Sequence, residues 1–564
     1  MPIWRLKILQ SVFLLFGLLV ILRLFYWQVI SGEKLQAMAE SQHFSKAEIP
    51  AQRGQIFASD GFPLATNRQT YLLFAISLQI KISKDEIASK LAAVLRPEEA
   101  EKSESDIIEK LNRPGLVWVP LARDLSQITK EQIEGLEIKG LGFEEYQQRF
   151  YPEASMSAHL LGFVGQDAGG QNKGYFGLEG YYDRSLAGKA GFLKQELDAS
   201  GKPILIGKTS LSGEISGRDL ELSLDRGIQF MVEEKLKVGM ERYQASGGLA
   251  VLMDPKTGAI LSMASFPSYD PAEYGKTDKS LFSNPVISQT FEPGSIFKPL
   301  VMASAIDTGV IKPEDKCTKC TGPRQIGEYT IRTWDEQYHP DTTMTEILVH
   351  SDNVGMVFVG EKLGSKNLLS YLEKFGLWEQ TGIDLEGEMV AQRRQENDWT
   401  PIDFATVSFG QGVAVTPIQM VRAISVIANG GLLVEPHVVS KIKSGDKELE
   451  TKTRIDRRVI SETTAKVVTE MMVTSAEKGG RWERPKGYRI AGKTGTAQIP
   501  LAGHYDKTKT IVSFVGFAPA DNPRFVMLVT LREPALTWGS MTVAPLWFDI
   551  ASDLFVYLKI PPSY

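Results

Sequence analysis

The chain is short of the residues that mark several classes of protein. Its 564 residues hold two cysteines and six histidines. A zinc site would want two more ligands at compact spacing, and the histidines nearest the cysteines, His339 and His350, are too far apart for the usual pair. Positive charge is not in excess: 63 Lys and Arg against 68 Asp and Glu leave −5, so nothing marks a nucleic-acid partner. Low-complexity tracts are missing, and 43% hydrophobic with 23% charged residues is a globular composition rather than a disordered one. Long apolar runs are nearly absent too; the single one lies at the N-terminus. The two cysteines, Cys317 and Cys320 in KCTKC, read as a local disulfide in an oxidising exterior, with a free thiol pair as the alternative. Neither reading is catalytic.

The apolar run is informative. Arg5 and Lys7 precede an uncharged stretch that reaches Leu22, followed by Arg23, Tyr26 and Trp27. Taken as helix from residue 8 to 30, it spans on the order of 34 Å, enough to cross a bilayer core. Arg23 can snorkel beside an interfacial belt of Tyr26 and Trp27. A cleaved signal peptide is the rival, but its apolar core is shorter, and the one small-residue candidate, Ala37-Met-Ala39, lies well past the run. The expectation is an uncleaved signal anchor: residues 1–7 cytoplasmic, 8–30 in the membrane, and the remainder outside the cytoplasm.

Length predicts two to four domains. Residues 45–215 mix short strands with polar helices, such as SKDEIASKLAAVL (83–95) and ESDIIEKLNRP (104–114), and read as a non-catalytic module. From 217 to 564 the pattern changes. GRDLELSLD alternates like a strand, RGIQFMVEEKLKVGMERY has helical spacing, and GLAVLMDPKTGAILSMAS reads as two strands around a turn. IVSFVGFAPADNPRFVMLVTL is a second hairpin, and APLWFDIASDLFVYL a closing helix. Strands at both ends with helices between predict an α+β domain built on an antiparallel sheet.

Three short motifs carry chemistry. In FEPGSIFKP, Ser295 and Lys298 stand three apart at a helix start, where i and i+3 share a face. A neutral lysine amine there can take the serine proton if burial or a second cation lowers its pKa. In HSDNV, Ser351 offers a proton relay and Asn353 an amide, although such a triplet is more often a turn or cap. In YRIAGKTGTAQI, Lys493 supplies a cation, Gly492 and Gly495 permit close backbone approach, and Thr494 and Thr496 supply hydroxyls on a strand edge fit to pair with a peptide. GYRIAGKT also satisfies the letters of a phosphate loop, but Tyr-Arg-Ile is a poor cradle and the sequence continues strand-like.

Each motif is weak alone. In this order, S-x-x-K, S-D-N and K-T-G are the signature of penicillin-binding proteins and class A β-lactamases. The chain resembles the class B penicillin-binding proteins over nearly its whole length. PAQRGQIFASDGFPLATN, FYPEASMSAHLLGFVG and GYFGLEGYYDRSLAGKAG are similar to that family's N-terminal module, and SFGQGVAVTPIQM to a further catalytic block. Ser59 departs from it, standing where the family often has an acidic residue. The resemblance implies a peptidoglycan D,D-transpeptidase with a serine β-lactamase-like domain. Ser295 would be the nucleophile, Lys298 its base and Ser351 the relay. Asn353 would hold substrate and lysine, Lys493 would set the electrostatics, and Thr494 and Thr496 would bind the terminal carboxylate. Backbone N–H groups of Ser295 and Thr496 would form the oxyanion hole. It implies stem peptides and β-lactams as ligands, a SEDS-family glycosyltransferase and division or elongation proteins as partners, and no metal or cofactor. Hydrolysis in place of transfer, or a silent scaffold, are the alternatives.

Overall fold

Periodicity and caps place most elements close to where the sequence expects them. The computed structural model describes residues 3–95, 100–196, 204, 209–501 and 504–563. Met1 and Pro2 of the expected tail, and 96–99, 197–203, 205–208, 502–503 and 564 of the expected domains, lie outside the described residues. The backbone divides into two compact units, 1–53 with 187–217, and 54–186 with 218–564. This grouping differs from a simple division at 217, because most of the expected N-terminal module shares its packing with the catalytic half.

In the smaller unit an α-helix runs Ile3–Phe25 and continues as a π-helical turn, Tyr26–Ile30. It starts earlier than expected, taking Arg5 and Lys7 into the helix. Among the described residues it is the one helix long and apolar enough to cross a membrane. Arg23 lies over the rings of Trp27 and Tyr26, at 5.0 and 5.7 Å from their centroids, so its charge is held against the aromatic belt. A helix at Gly32–His43 follows, and then a three-stranded antiparallel sheet of Phe44–Ile49, Gly191–Glu196 and Thr209–Ser212.

The larger unit begins with a seven-stranded sheet that explains its extent. The long strand Pro63–Ile76 pairs with Trp118–Leu125 and Leu141–Phe150, and helices Lys84–Leu95 and Ala100–Leu111 bury Ile87, Leu91, Ile107 and Leu111 in the same core. Ile56–Phe57 then pairs in parallel with Asp219–Leu222, which pairs with Val439–Ser444. Arg149 is buried against Glu179 at 2.6 Å and donates to the Gly54 carbonyl at 2.8 Å, tying the RGQIF segment down.

The catalytic half opens with helix α1 (Arg226–Tyr243), whose N-cap Asp225 accepts from the Ile228 N–H. Strands β1 (Gly247–Met253) and β2 (Ile260–Phe266) form the first hairpin. Helices α2 (Lys298–Asp307), α3 (Met344–His350), α4 (Asn353–Leu363), α5 (Pro417–Ala428) and α6 (Glu462–Lys478) intervene. Strands β3 (Ala491–Leu501), β4 (His504–Ala518) and β5 (Phe525–Arg532) and helix α7 (Val543–Tyr557) close the chain. The five strands form one antiparallel sheet in the order β2-β1-β5-β4-β3, which leaves β3 outermost. Alternation along β4 sorts the two faces: Val512 and Phe514 pack with Trp547 and Phe548 of α7, while Val515 and Phe517 join the core of α2 and α5. All of α5 is buried, which accounts for its apolar composition. The architecture is α+β.

Candidate active site

Ser295 lies in a 3-10 turn, Gly294–Phe297, that runs directly into α2. Positions i and i+3 of a 3-10 turn lie on one side, so the turn can present Ser295 towards the side on which Lys298 begins α2. Pro299 fits because the first helical positions need no N–H donor. Two glycines hold the turn. Gly294 has φ +56° and donates to the Gly410 carbonyl at 2.9 Å, and Gly410 has φ +84°. A Cβ on Gly410 would fall 2.1 Å from the Gly294 oxygen.

Lys298 is fully buried. Its Nζ donates to the Ser351 carbonyl at 2.6 Å, to Asn353 Oδ1 at 2.8 Å and to Ser351 Oγ at 3.3 Å. Burial holds this amine well below its ordinary pKa, and the charge of Lys493 pushes it the same way, while Asp352 opposes both. The SDN triplet is both a cap and a site. Ser351 ends α3 in the left-handed region, φ +55°, and Asp352 caps α4 by accepting from the Gly355 N–H at 3.1 Å. A helix-to-helix junction thus turns Ser351 and Asn353 onto the lysine.

The third wall is β3. Lys493 is buried, and its Nζ donates to the Thr494 carbonyl at 3.1 Å and to Thr494 Oγ1 at 3.4 Å. Burial pulls its pKa down to about 7. A Cβ on Gly495 would meet Ile296 at 2.9 Å and the Pro293 oxygen at 3.1 Å, so glycine lets the strand lie against the serine turn. Thr496 Oγ1 accepts from the Gly539 N–H at 3.2 Å and keeps its own proton to donate. The chain after Gly-Lys-Thr continues as a strand, whereas a phosphate loop requires a helix there.

A cavity of about 540 Å³ joins the three motifs; Ser295, Ser351, Asn353, Thr494, Gly495 and Thr496 all line it. The two lysines sit behind this lining. Cys317 and Cys320 are disulfide-bonded and buried. Three contributors lie outside the S-x-x-K, S-D-N and K-T-G motifs. The loop of Phe409 and Gly410 braces the serine turn, and its signal was the glycine in SFGQG. Trp334 and Trp538 meet at the cavity, and His339 stacks on His350 at 4.2 Å. No local spacing announces the tryptophan pair, because it joins segments distant in sequence.

The fold and the site define a serine-type acyltransferase. The chain matches the penicillin binding protein transpeptidase domain over residues 248–552 and the penicillin-binding protein dimerisation domain over 48–222. It is 35% identical to stage V sporulation protein D of Bacillus subtilis, across 97% of this chain and 85% of that protein. It is 30% identical to the peptidoglycan D,D-transpeptidase FtsI of Escherichia coli, across 99% and 93%. Among solved structures, penicillin-binding protein 3 of Mycobacterium tuberculosis in complex with aztreonam has a TM-score of 0.67 at 26% identity, covering 92% of this chain and 99% of that one. The chain belongs to the class B penicillin-binding proteins.

Proposed function

We propose that Ser295, Lys298, Ser351, Asn353, Lys493, Thr494, Gly495 and Thr496 are the machinery of a peptidoglycan D,D-transpeptidase that β-lactams acylate. The observation that carries this reading is the buried Lys298 amine, hydrogen-bonded to Ser351 and Asn353 behind the cavity that Ser295 lines. Neutral Lys298 takes the Ser295 proton as Oγ attacks the carbonyl of the penultimate D-alanine. Backbone N–H groups of Ser295 and Thr496 receive the oxyanion, where one donor is worth roughly 3 kcal/mol. The C–N bond then breaks. Ser351 passes the proton from Lys298 to the departing D-alanine amine, leaving an ester on Ser295. An amine of a second stem peptide attacks that ester, returns the proton to Ser295 and completes the cross-link. Thr494 and Thr496 hold the terminal carboxylate during the first step, Lys493 sets the electrostatics behind them, and Gly495 lets the strand close on the serine turn.

The chain is read as a single-pass membrane protein through its helix at Ile3–Ile30. The catalytic half faces the exterior, where stem peptides are, because Arg5 and Lys7 mark the cytoplasmic end. Residues 45–215 serve as a pedestal and 217–564 as the transpeptidase domain. A SEDS-family glycosyltransferase and division or elongation proteins are the partners, because cross-linking acts on strands polymerised elsewhere. The test is covalent labelling with fluorescent penicillin. Wild-type protein takes one label and Ser295→Ala none; an unlabelled wild type, or a labelled Ser295→Ala, refutes the assignment.

A further inference from the structure

The cavity that Ser295 lines carries charge of both signs. Asp335 stands on its lining after Trp334, and Lys478 on another stretch beside Val349 and Gly479. That second wall forms where the end of α6 lies against the end of α3. Ser475 Oγ donates to the Leu348 carbonyl at 3.2 Å, and a Cβ on Gly479 would fall 3.3 Å from the Val349 oxygen. Ser351 follows Val349 by two residues, so the Lys478 wall adjoins the proposed relay hydroxyl.

Lys478 is the last residue of α6 and is exposed. Among the described residues it enters no ion pair. Glu346 of α3 feels its charge, but Glu346 Oε2 already accepts from the Thr343 N–H and hydroxyl, both at 2.8 Å. The segment beyond, GGRWERPKG, sets Arg481, Arg484 and Lys486 against Glu483, in a chain whose net charge is −5. These four side chains are exposed, and Arg484 lies 3.7 Å from Glu477. Trp482 fixes the run to the fold: its indole N–H donates to the Ala476 carbonyl at 2.9 Å, and its ring packs on Phe514 and Phe548. Cations held beside a cavity raise the local concentration of anions.

In the transpeptidase reading, the departing D-alanine amine takes its proton at Ser351. By microscopic reversibility, the attacking amine arrives at the same point. The acylated donor peptide still fills the edge of β3 at that moment, so the second peptide extends over the other wall, across Val349, Lys478 and Gly479. A stem peptide carries a carboxylate on the residue before the one that bears the amine, and a lysine on a flexible stem can meet it. We propose that Lys478 binds the acceptor peptide through that carboxylate, with the basic segment to Lys486 drawing the strand in. This rests on the transpeptidase reading and gives the second substrate a wall of its own.

The experiment gives full-length protein in detergent a D-alanyl thioester as donor and two acceptor tetrapeptides together. The acceptors are L-alanyl-D-isoglutamyl-X-D-alanine and its D-isoglutaminyl amide, with X lysine in one series and meso-diaminopimelate in the other. Mass spectrometry reads the ratio of the two cross-linked products. Both acceptors compete for one acyl-enzyme, so any change in donor acylation cancels. Wild type favours the carboxylate peptide about threefold at low ionic strength. The preference fades at about 1 M salt, where charges are screened within about 3 Å. Lys478→Gln brings the ratio to one, Lys478→Glu reverses it, and Lys478→Arg keeps it. Equal use of the two acceptors by wild type, or a ratio unmoved in Lys478→Gln and Lys478→Glu, overturns the proposal. A wild type that takes fluorescent penicillin but forms no cross-linked product overturns the transpeptidase reading instead, and one that takes no penicillin overturns the acyl-enzyme itself.

Discussion

At the scale of the residue, the proposed role of Lys298 as base makes its protonation the control on acylation of Ser295. Its amine is lowered by burial and by Lys493, and raised by Asp352, so the neighbours carry opposite signs. Removing the Lys493 charge lets Lys298 keep its proton to a higher pH. In Lys493→Gln the acid limb of the acylation rate therefore moves to higher pH. Because burial sets Lys493 itself to about 7, that displacement is largest below 7 and fades above it. Asp352→Asn removes the opposing charge but retains an N-cap for α4, so its acid limb moves to lower pH. Rate constants for fluorescent penicillin measured from pH 5 to 9 check both, and limbs that move together contradict the assignment. The types and order of these residues were legible in the sequence. The partners of Lys298 across 53 and 55 residues were not, because only folding brings α3 and α4 onto α2.

At the scale of the element, the serine turn depends on a loop more than a hundred residues away. Gly410→Ala places a methyl against the Gly294 carbonyl and forces a side chain into the left-handed region. The strain costs about 1–3 kcal/mol, and acylation falls by roughly a hundredfold as the nucleophile shifts. Gly309→Ala is the control, since Gly309 also has positive φ (+73°) but open space around it. It lowers the melting temperature and leaves acylation as it was. Sequence patterning found the strands and helices of this half because periodicity is local. The 3-10 start at Gly294 was not visible, because a short apolar turn and the first turn of an α-helix share one pattern. The Trp334 and Trp538 contact stayed hidden for another reason: it joins two loops, where periodicity is silent.

At the scale of the whole molecule, catalytic and N-terminal segments share a seven-stranded sheet, and the boundary read from composition near 217 passes through it. Composition registers a change of character but not a long-range strand pairing. The buried pair of Arg149 and Glu179 lies in this region, and Glu179→Ala leaves a buried guanidinium unpaired. The variant loses about 3–5 kcal/mol of stability, measured by denaturant unfolding of the detergent-solubilised protein. Deleting residues 1–30 frees the protein from membranes while penicillin labelling persists, as fractionation followed by labelling would establish. The outermost place of β3 has one more effect. From Thr494 to Gln498 the strand has, among the described residues, a sheet neighbour on one side only, and an open edge accepts any extended chain, including another copy's. Colloidal behaviour and ligand occupancy are then coupled: if an extended ligand pairs along this edge, the liganded protein is expected to scatter less light at high concentration than the free one.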